Sequence, residues 1–346
     1  MATKKDKIQS LFNATFTDSR QWNDWYFDNV YKDNEAFMLE NEGNLLSSLM
    51  MAGYDFRFHD SVLGLAYMNG VATARSSRGK GYMHTLIAEA LRASYAGGDT
   101  FAAVIPASDN LYFFYDRFGF ATVVYFDLQR YTSVHVFRDT EGFVPAEPTA
   151  DGLRTLLATR PATVLHSPQD FRNILDDNAI DGGTVVAARD EMDGSISAMA
   201  FAVPGESEIT VREIVAVTPA AERCVLAQIA DHVRPLSVHA MPQESCSALH
   251  PRAMLRIVNA LSALEAIARK YPKTDMVIRL HDPIIVENNG VYILHGGLCR
   301  RADYTIRHLN LDVGIDVMTS LIFGSPRIGD IFGIPAVRPS LPLMLD

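Results

Sequence analysis

V-A-T-A-R-S-S-R-G-K-G-Y-M, residues 71–83, joins the end of an apolar strand to the start of an amphipathic helix through a basic, glycine-containing turn. Gly79 and Gly81 can take backbone angles closed to other residues, so that successive N–H groups converge on an oxyanion. The helix that follows adds its unpaired amides and the positive end of its dipole. Its apolar residues Met83, Leu86, Ile87, Ala90 and Leu91 stand at i, i+3, i+4, i+7 and i+8, the spacing of one buried face, and Gly97-Gly98 ends it. Arg78 and Lys80 bring cationic side chains that a purely structural turn does not need. The stretch reads as a phosphate cradle. Neither G-x-x-x-x-G-K-[ST] nor G-x-G-x-x-G is present, so it is not a P-loop or a dinucleotide fingerprint.

On the N-terminal side, Ala36–Glu40, Leu45–Phe58 and Ser61–Met68 read as three strands, with a hairpin turn at Glu42-Gly43-Asn44. Trp22, Trp25, Tyr26 and Phe27, in two short helical patterns before them, suit a core. On the C-terminal side, the apolar run Phe101–Ile105 is too short for a helix and suits a buried strand parallel to the one before the cradle. D-N-L-Y-F-F-Y-D-R-F-G-F, residues 109–120, then gives a short helix and a turn, with Val123–Phe126 as a strand after it.

The chain of 346 residues suggests two or three domains, and 48% hydrophobic with 21% charged residues is a globular composition. No apolar run approaches the ~18 residues of a membrane span. M-A-T-K-K-D-K has no apolar core after it, so it is not a secretory signal, and cytoplasm is the expected location. Cys224, Cys246 and Cys299 are far apart without a C-x-x-C pair, which points to free thiols and to no metal site. A net charge of -10 argues against general nucleic-acid affinity and mildly favours cationic small molecules.

R-S-S-R-G-K-G resembles the acetyl-CoA pyrophosphate loop of the GCN5-related N-acetyltransferases (GNAT), written R/Q-x-x-G-x-G/A. Residues 109–120 resemble that family's last helix, with Tyr115 four residues before the Gly119-Phe120 turn. The phrase Y-D-R-F-G-F is similar to the enhanced-intracellular-survival-type subgroup, whose chains carry two acetyltransferase-like domains and a sterol-carrier-protein-like domain. The resemblance implies an α/β fold of mixed sheets: an N-terminal acetyltransferase domain at 1–140, a second GNAT-like domain at 141–245, and a sterol-carrier-protein-like α+β domain at 246–346. It also implies a homo-oligomer, since the subgroup forms rings of trimers.

The later sequence agrees with that order. Residues 131–150 read as a connector. A helix near Pro168–Leu175, strands at Thr184–Ala188, Ile196–Val203 and Ile209–Val217, and a helix from Pro219 repeat the first pattern. The second strand-to-helix junction, V-A-V-T-P-A-A-E-R-C, has no glycine, so the second domain is expected to bind no cofactor. Beyond it, Pro251–Ala268 reads as a helix, Met276–Leu280 and Val291–Leu294 as strands with a hairpin signal at Asn289-Gly290, and D-V-G-I-D-V-M-T-S-L-I-F-G as a last helix.

By resemblance, Val71, Ala72 and Thr73 hold the pantetheine arm, Arg78, Gly79, Lys80, Gly81, Tyr82 and Met83 hold the pyrophosphate, and Asn110 lies beside the thioester. Moving an acetyl group to an amine needs a deprotonated amine, an oxyanion site and a proton for the departing thiolate. Tyr115 is the expected donor of that proton. The expected base is the carboxylate at the chain's end, terminal or side-chain, at Asp346, with His59 and His84 as alternatives. The expected reaction is acetyl transfer from acetyl-CoA to a primary amine of a cationic small molecule or peptide, with no nucleic acid, membrane or metal involved. A non-catalytic acyl-CoA sensor and a lipid carrier acting through the last domain are the other classes.

Overall fold

The computed structural model describes residues 2–242, 248–302, 306, 308–324, 334–335 and 337–343. These form two compact units, residues 1–124 with 252–339, and residues 125–251 with 340–346.

The first unit begins with helices α1 (Lys4–Thr15) and α2 (Arg20–Asn29). A capping box starts α1: the Thr3 hydroxyl accepts from the Asp6 amide while the Asp6 carboxylate accepts from the Thr3 amide. Strands β1 (Ala36–Asn41), β2 (Asn44–Phe58) and β3 (Ser61–Thr73) follow as an antiparallel meander. Helix α3 (Tyr82–Gly97) crosses to β4 (Phe101–Val104), which pairs parallel with β3 from Leu65↔Phe101 to Met68↔Val104. Helix α4 (Asp109–Asp116) comes next. One face of this sheet is covered by α3 and α4 through a core that includes Leu49, Met68, Leu86, Ile87, Leu91 and Tyr115. The other face is covered by α1 and α2 through Ile8, Phe12, Tyr26, Phe27 and Met50. The α3 residues expected to face inward are buried, with Met83 packed at the margin, and Gly98 ends the helix at φ 91°.

The second unit repeats this plan. β5 (Ala121–Tyr131), β6 (Phe143–Ala146), α5 (Ala150–Leu157), β7 (Ala162–Leu165), α6 (Pro168–Ile180), β8 (Thr184–Asp190), β9 (Ile196–Pro204), β10 (Ile209–Ala216), α7 (Pro219–Ile229) and β11 (Leu236–Ala240) follow in order. The strands lie in the order β5-β11-β10-β9-β8-β6. β10 pairs parallel with β11, across α7, as β3 pairs with β4 across α3. One face packs on α7 through Ala221, Val225 and Leu226, and the other on α5 and α6 through Leu153, Leu156, Phe171 and Ile174. The segment 131–150, expected as a plain connector, contributes edge strand β6, paired with β8. Ser340–Leu343 belong to this unit: Ser340 bridges to Thr163 in parallel, and its amide donates to the Ala162 carbonyl at 2.9 Å.

The chain then returns to the first unit. The helix expected over Pro251–Ala268 is instead strand β12 (His250–Ile257) followed by α8 (Ala260–Lys270). β12 pairs antiparallel with β4 from Met254↔Val104 to Ile257↔Phe101, and its buried run Ala253–Ile257 has no exposed side to give it a period. β13 (Met276–His281), β14 (Gly290–His295), β15 (Leu298–Ala302) and β16 (Leu311–Gly314) form a four-stranded sheet in the order β15-β14-β13-β16. α8 packs on β14 and β15, and α9 (Ile315–Ile322) on β13 and β16. Asn289-Gly290 is not a two-residue hairpin. An eight-residue loop, 282–289, links β13 to β14, and the Asn289 side chain holds its neck by accepting from the Asp282 amide and donating to the Asp282 carbonyl.

Candidate acetyl-donor site and the tyrosine beside it

β3 outruns its partner. Its parallel register with β4 stops at Met68, and five further residues, Asn69–Thr73, continue beyond the end of β4. Their β2-side pairing is interrupted by a bulge, in which Gly70 and Val71 stand opposite Leu49 alone. Gly70 takes φ +57°, a conformation that favours glycine, and a Cβ there would meet Met50 Cε at 2.1 Å, so that side chain would have to move. After the bulge the Ala72 side chain is buried, and the Thr73 hydroxyl lies 3.1 Å from that of Ser47.

A short 3-10 turn, Arg75–Ser77, leads into the cradle. Gly79 and Gly81 take φ +75° and +82°, with open space where a side chain would stand. Gly81 is the N-cap of α3 and offers no side chain to its amides. The first helical bond is Thr85 N–H to the Gly81 carbonyl at 3.2 Å. Among the described residues, the amides of Arg78 through His84 have no hydrogen-bond partner. Seven successive donors at the positive end of a helix of 16 residues are the groups that an anion site needs. Arg75, Arg78 and Lys80 are exposed around it, and the Arg78 Nε–H donates to the Thr73 carbonyl at 3.2 Å, tying the turn to the end of β3. The sequence-predicted residues from Val71 to Met83 therefore come together, and a diphosphate with an extended arm fits this set: donors and cations at the turn, an unpaired strand edge leading away from it.

Tyr115 sits in the last turn of α4, buried in the cluster that holds Phe118, with the rings of Phe114 and Phe120 packed edge-on against it. Burial raises the phenol above its usual range, so it keeps its proton at any working pH. Among the described residues its hydroxyl makes no hydrogen bond. Asn110 is exposed near the start of the same helix. Five residues at 100° each turn it about 140° away from Tyr115 around α4, so the two do not share a face.

Of the two histidines, only His59 is remote from this site. His84 is exposed on α3, its ring 4.9 Å from that of Phe118. His59 is in the β2–β3 turn at φ 54°, buried between Phe58 and Tyr271. β3 runs 13 residues from that turn to Thr73. At about 3.3 Å per residue this places His59 some ~40 Å from the cradle end, which removes it as a base. Burial and the Lys270 ammonium lower its pKa to about 4. Asp346 lies outside the described residues, as does Cys246. Cys224 is a buried free thiol and Cys299 a half-buried one.

One feature of this region has only a faint sequence signal. Arg256 of β12 is fully buried, with its Nε–H donating to the Phe118 carbonyl at 2.6 Å and an Nη–H to Asp282 Oδ1 at 2.7 Å. An arginine inside the apolar run A-M-L-R-I-V is the signal, since an unpaired guanidinium does not enter a core.

Residues 2–123 match the acetyltransferase (GNAT) domain family, and the geometry above lies in that stretch. The chain carries an acetyl-CoA-using GNAT domain, and the class of enzyme this defines is an N-acetyltransferase. No curated protein sequence matches it. Among solved structures the fold is similar over its whole length to Eis1 from Mycobacterium abscessus, at 15% identity, covering 99% of this chain and 97% of that one, with a TM-score of 0.75. A GCN5-related N-acetyltransferase from Anabaena variabilis is similar at 14% identity, 98% and 97% coverage and TM-score 0.77. One from Kribbella flavida is similar at 15%, 100% and 98%, and 0.74. At these identities the likeness is one of fold, and it spans the tandem GNAT-like arrangement. Among the described residues no helix is long and apolar enough to cross a membrane.

Proposed function

We propose that the protein transfers the acetyl group of acetyl-CoA directly to a primary amine of a cationic small molecule or peptide. The observation that carries this is the array of unpartnered amides from Arg78 to His84, set at the end of a strand whose edge is open from Asn69 to Thr73. The cradle residues hold the diphosphate, and the backbone of Val71–Thr73 aligns the pantetheine arm along β3. When bound, acetyl-CoA supplies an acyl group activated as a thioester.

Tyr115 Oη then holds the proton that the departing thiolate takes up as the C–S bond breaks and the C–N bond forms. A buried phenol is a weaker acid than a free one, but the same low-dielectric surroundings raise the proton affinity of the thiolate. The carboxylate at Asp346 is proposed as the base that takes the amine's proton. The β13–β16 sheet is proposed to support the acetyltransferase domain and not to carry lipid.

The test is Tyr115→Phe assayed by thiol release with a panel of amines, beside calorimetric titration of acetyl-CoA. Turnover is expected to fall about a hundredfold, with acetyl-CoA affinity nearly unchanged and one equivalent bound per chain. Unchanged turnover removes Tyr115 from the mechanism. Binding without thiol release for any amine supports a sensor instead.

A further inference from the structure

We infer that Arg256 is a positioning residue for Tyr115, and that the pair it forms with Asp282 is the device by which the segment after residue 251 sets the geometry of the transfer site. The inference rests on Tyr115 being the proton donor proposed above.

Arg256 reaches the turn after α4 from more than a hundred residues downstream. Its guanidinium is spread over three acceptors: the Phe118 carbonyl at 2.6 Å, the Ile257 carbonyl of its own strand at 2.7 Å and Asp282 Oδ1 at 2.7 Å. Phe118 is the joint that matters, because the residue whose carbonyl takes the guanidinium also donates its N–H to the Tyr115 carbonyl at 2.9 Å. One hydrogen bond therefore joins the guanidinium to the carbonyl of Phe118, and a second joins that residue's N–H, across its Cα in the preceding peptide plane, to the Tyr115 carbonyl. The following residue, Gly119, takes φ +79°, and a Cβ there would stand 3.2 Å from Arg256 Nε and 2.7 Å from Ile315 Cγ2. The turn after Tyr115 is thus closed around the guanidinium.

Asp282 fixes the other side. Its Oδ1 accepts from the amides of Ile284 and Ile285 at 2.9 and 3.0 Å, and its Oδ2 from Asn288 Nδ2 at 2.9 Å. Ile284 and Ile285 pack in the same apolar cluster as Tyr115, Phe118 and Phe120, and the Ile284 carbonyl accepts from Arg92 Nε of α3 at 3.0 Å. The loop therefore ties the helix of the cradle to the helix of the tyrosine. A buried ion pair is a poor stabiliser compared with apolar residues of the same volume. What a satisfied one adds is fixed geometry, and here both ends of it converge on the surroundings of one phenol.

The experiment is a double-mutant cycle between Arg256→Lys and Tyr115→Phe, with kcat for amine acetylation, acetyl-CoA Kd by calorimetry and thermal unfolding measured for each. Lysine keeps the charge and loses the planar fork. The expected result is a fall in kcat of about tenfold or more in R256K with Kd within about threefold, and a double variant no slower than Y115F. Arg212→Lys, the same change in the Arg212–Asp181 pair of the second unit, is the control and is expected to leave kcat within about threefold. Where R256K does not fold, Asp282→Asn, isosteric and still able to accept at Oδ1, enters the same cycle. A kcat at the wild-type level in folded R256K, or losses that multiply in the double variant, overturns the positioning role while leaving Tyr115 in place. Wild-type turnover by Y115F overturns the role of Tyr115 and this inference with it.

Discussion

The two units contain the same strand-to-helix junction twice, built to opposite ends. In the first, β3 passes through Arg75–Gly81 into α3, the N-cap is a glycine at φ 82°, and the amides of Arg78–His84 are left without partners. In the second, β10 passes through Val217 into α7, the Thr218 hydroxyl accepts from the Ala221 amide at 3.2 Å, and Pro219 has no amide to offer. The bulges differ likewise. At Gly70 the strand stays free of side chain, whereas the bulge of β10 at Arg212 turns Glu213 inward to a buried pair with Arg160 at 3.0 Å. The lesson is that an anion site at a helix start is made by withholding the ordinary cap. A junction that satisfies its own amides is a better helix start and a worse ligand site.

The largest expected effect that bears on this contrast is at Gly81. Gly81→Val places a β-branched residue at φ 82° in the middle of the unpartnered amides, so the backbone there must change conformation. Acetyl-CoA Kd is expected to rise at least tenfold or so with the fold retained by circular dichroism. Undiminished affinity would break the comparison. Next is Thr218→Ala, which removes a cap worth about 1 kcal/mol. It lowers stability in thermal melts and leaves acetyl-CoA affinity and a stoichiometry of one per chain untouched; a second binding event would show that both junctions are cradles.

The smallest effect concerns His59, at the far end of β3. Its folded pKa, about 4, lies below the ~6.5 of an unfolded histidine. The unfolded chain therefore binds the extra proton first, and stability present above pH ~6.5 is lost as pH falls towards 4. His59→Gln should flatten that part of the stability profile without altering the pH dependence of kcat/KM. A shift in the latter would return His59 to the active site.

Much of the first unit was legible from residues 36–120, and for a local reason. The β2–β3 meander, the apolar face of α3 and the paired glycines of the turn each follow from side-chain spacing and backbone freedom over a few neighbours. The sequence misleads at β12 because its buried run Ala253–Ile257 carries no alternation, and so short an apolar run with Arg256 inside it passes equally for a helix. Asn289-Gly290 was misread because the Asn289 side chain is spent on Asp282 and Gly290 begins a strand, with its virtual Cβ 2.8 Å from Arg301 Nε. Short elements such as β6, β7 and β11, at four, four and five residues, lack the length for any period to show.

The sequence by itself determined that a basic glycine turn opens a capless helix and that Tyr115 stands four residues before a Gly-Phe turn, because both are properties of contiguous backbone. Only the tertiary structure decided that residues 252–339 complete the first unit, that His59 is at the wrong end of β3, and that Arg256 grips the turn after Tyr115. Those outcomes depend on which distant groups share a dry interior, where a charge must find its partners or stay out, and no window of neighbouring residues contains that information.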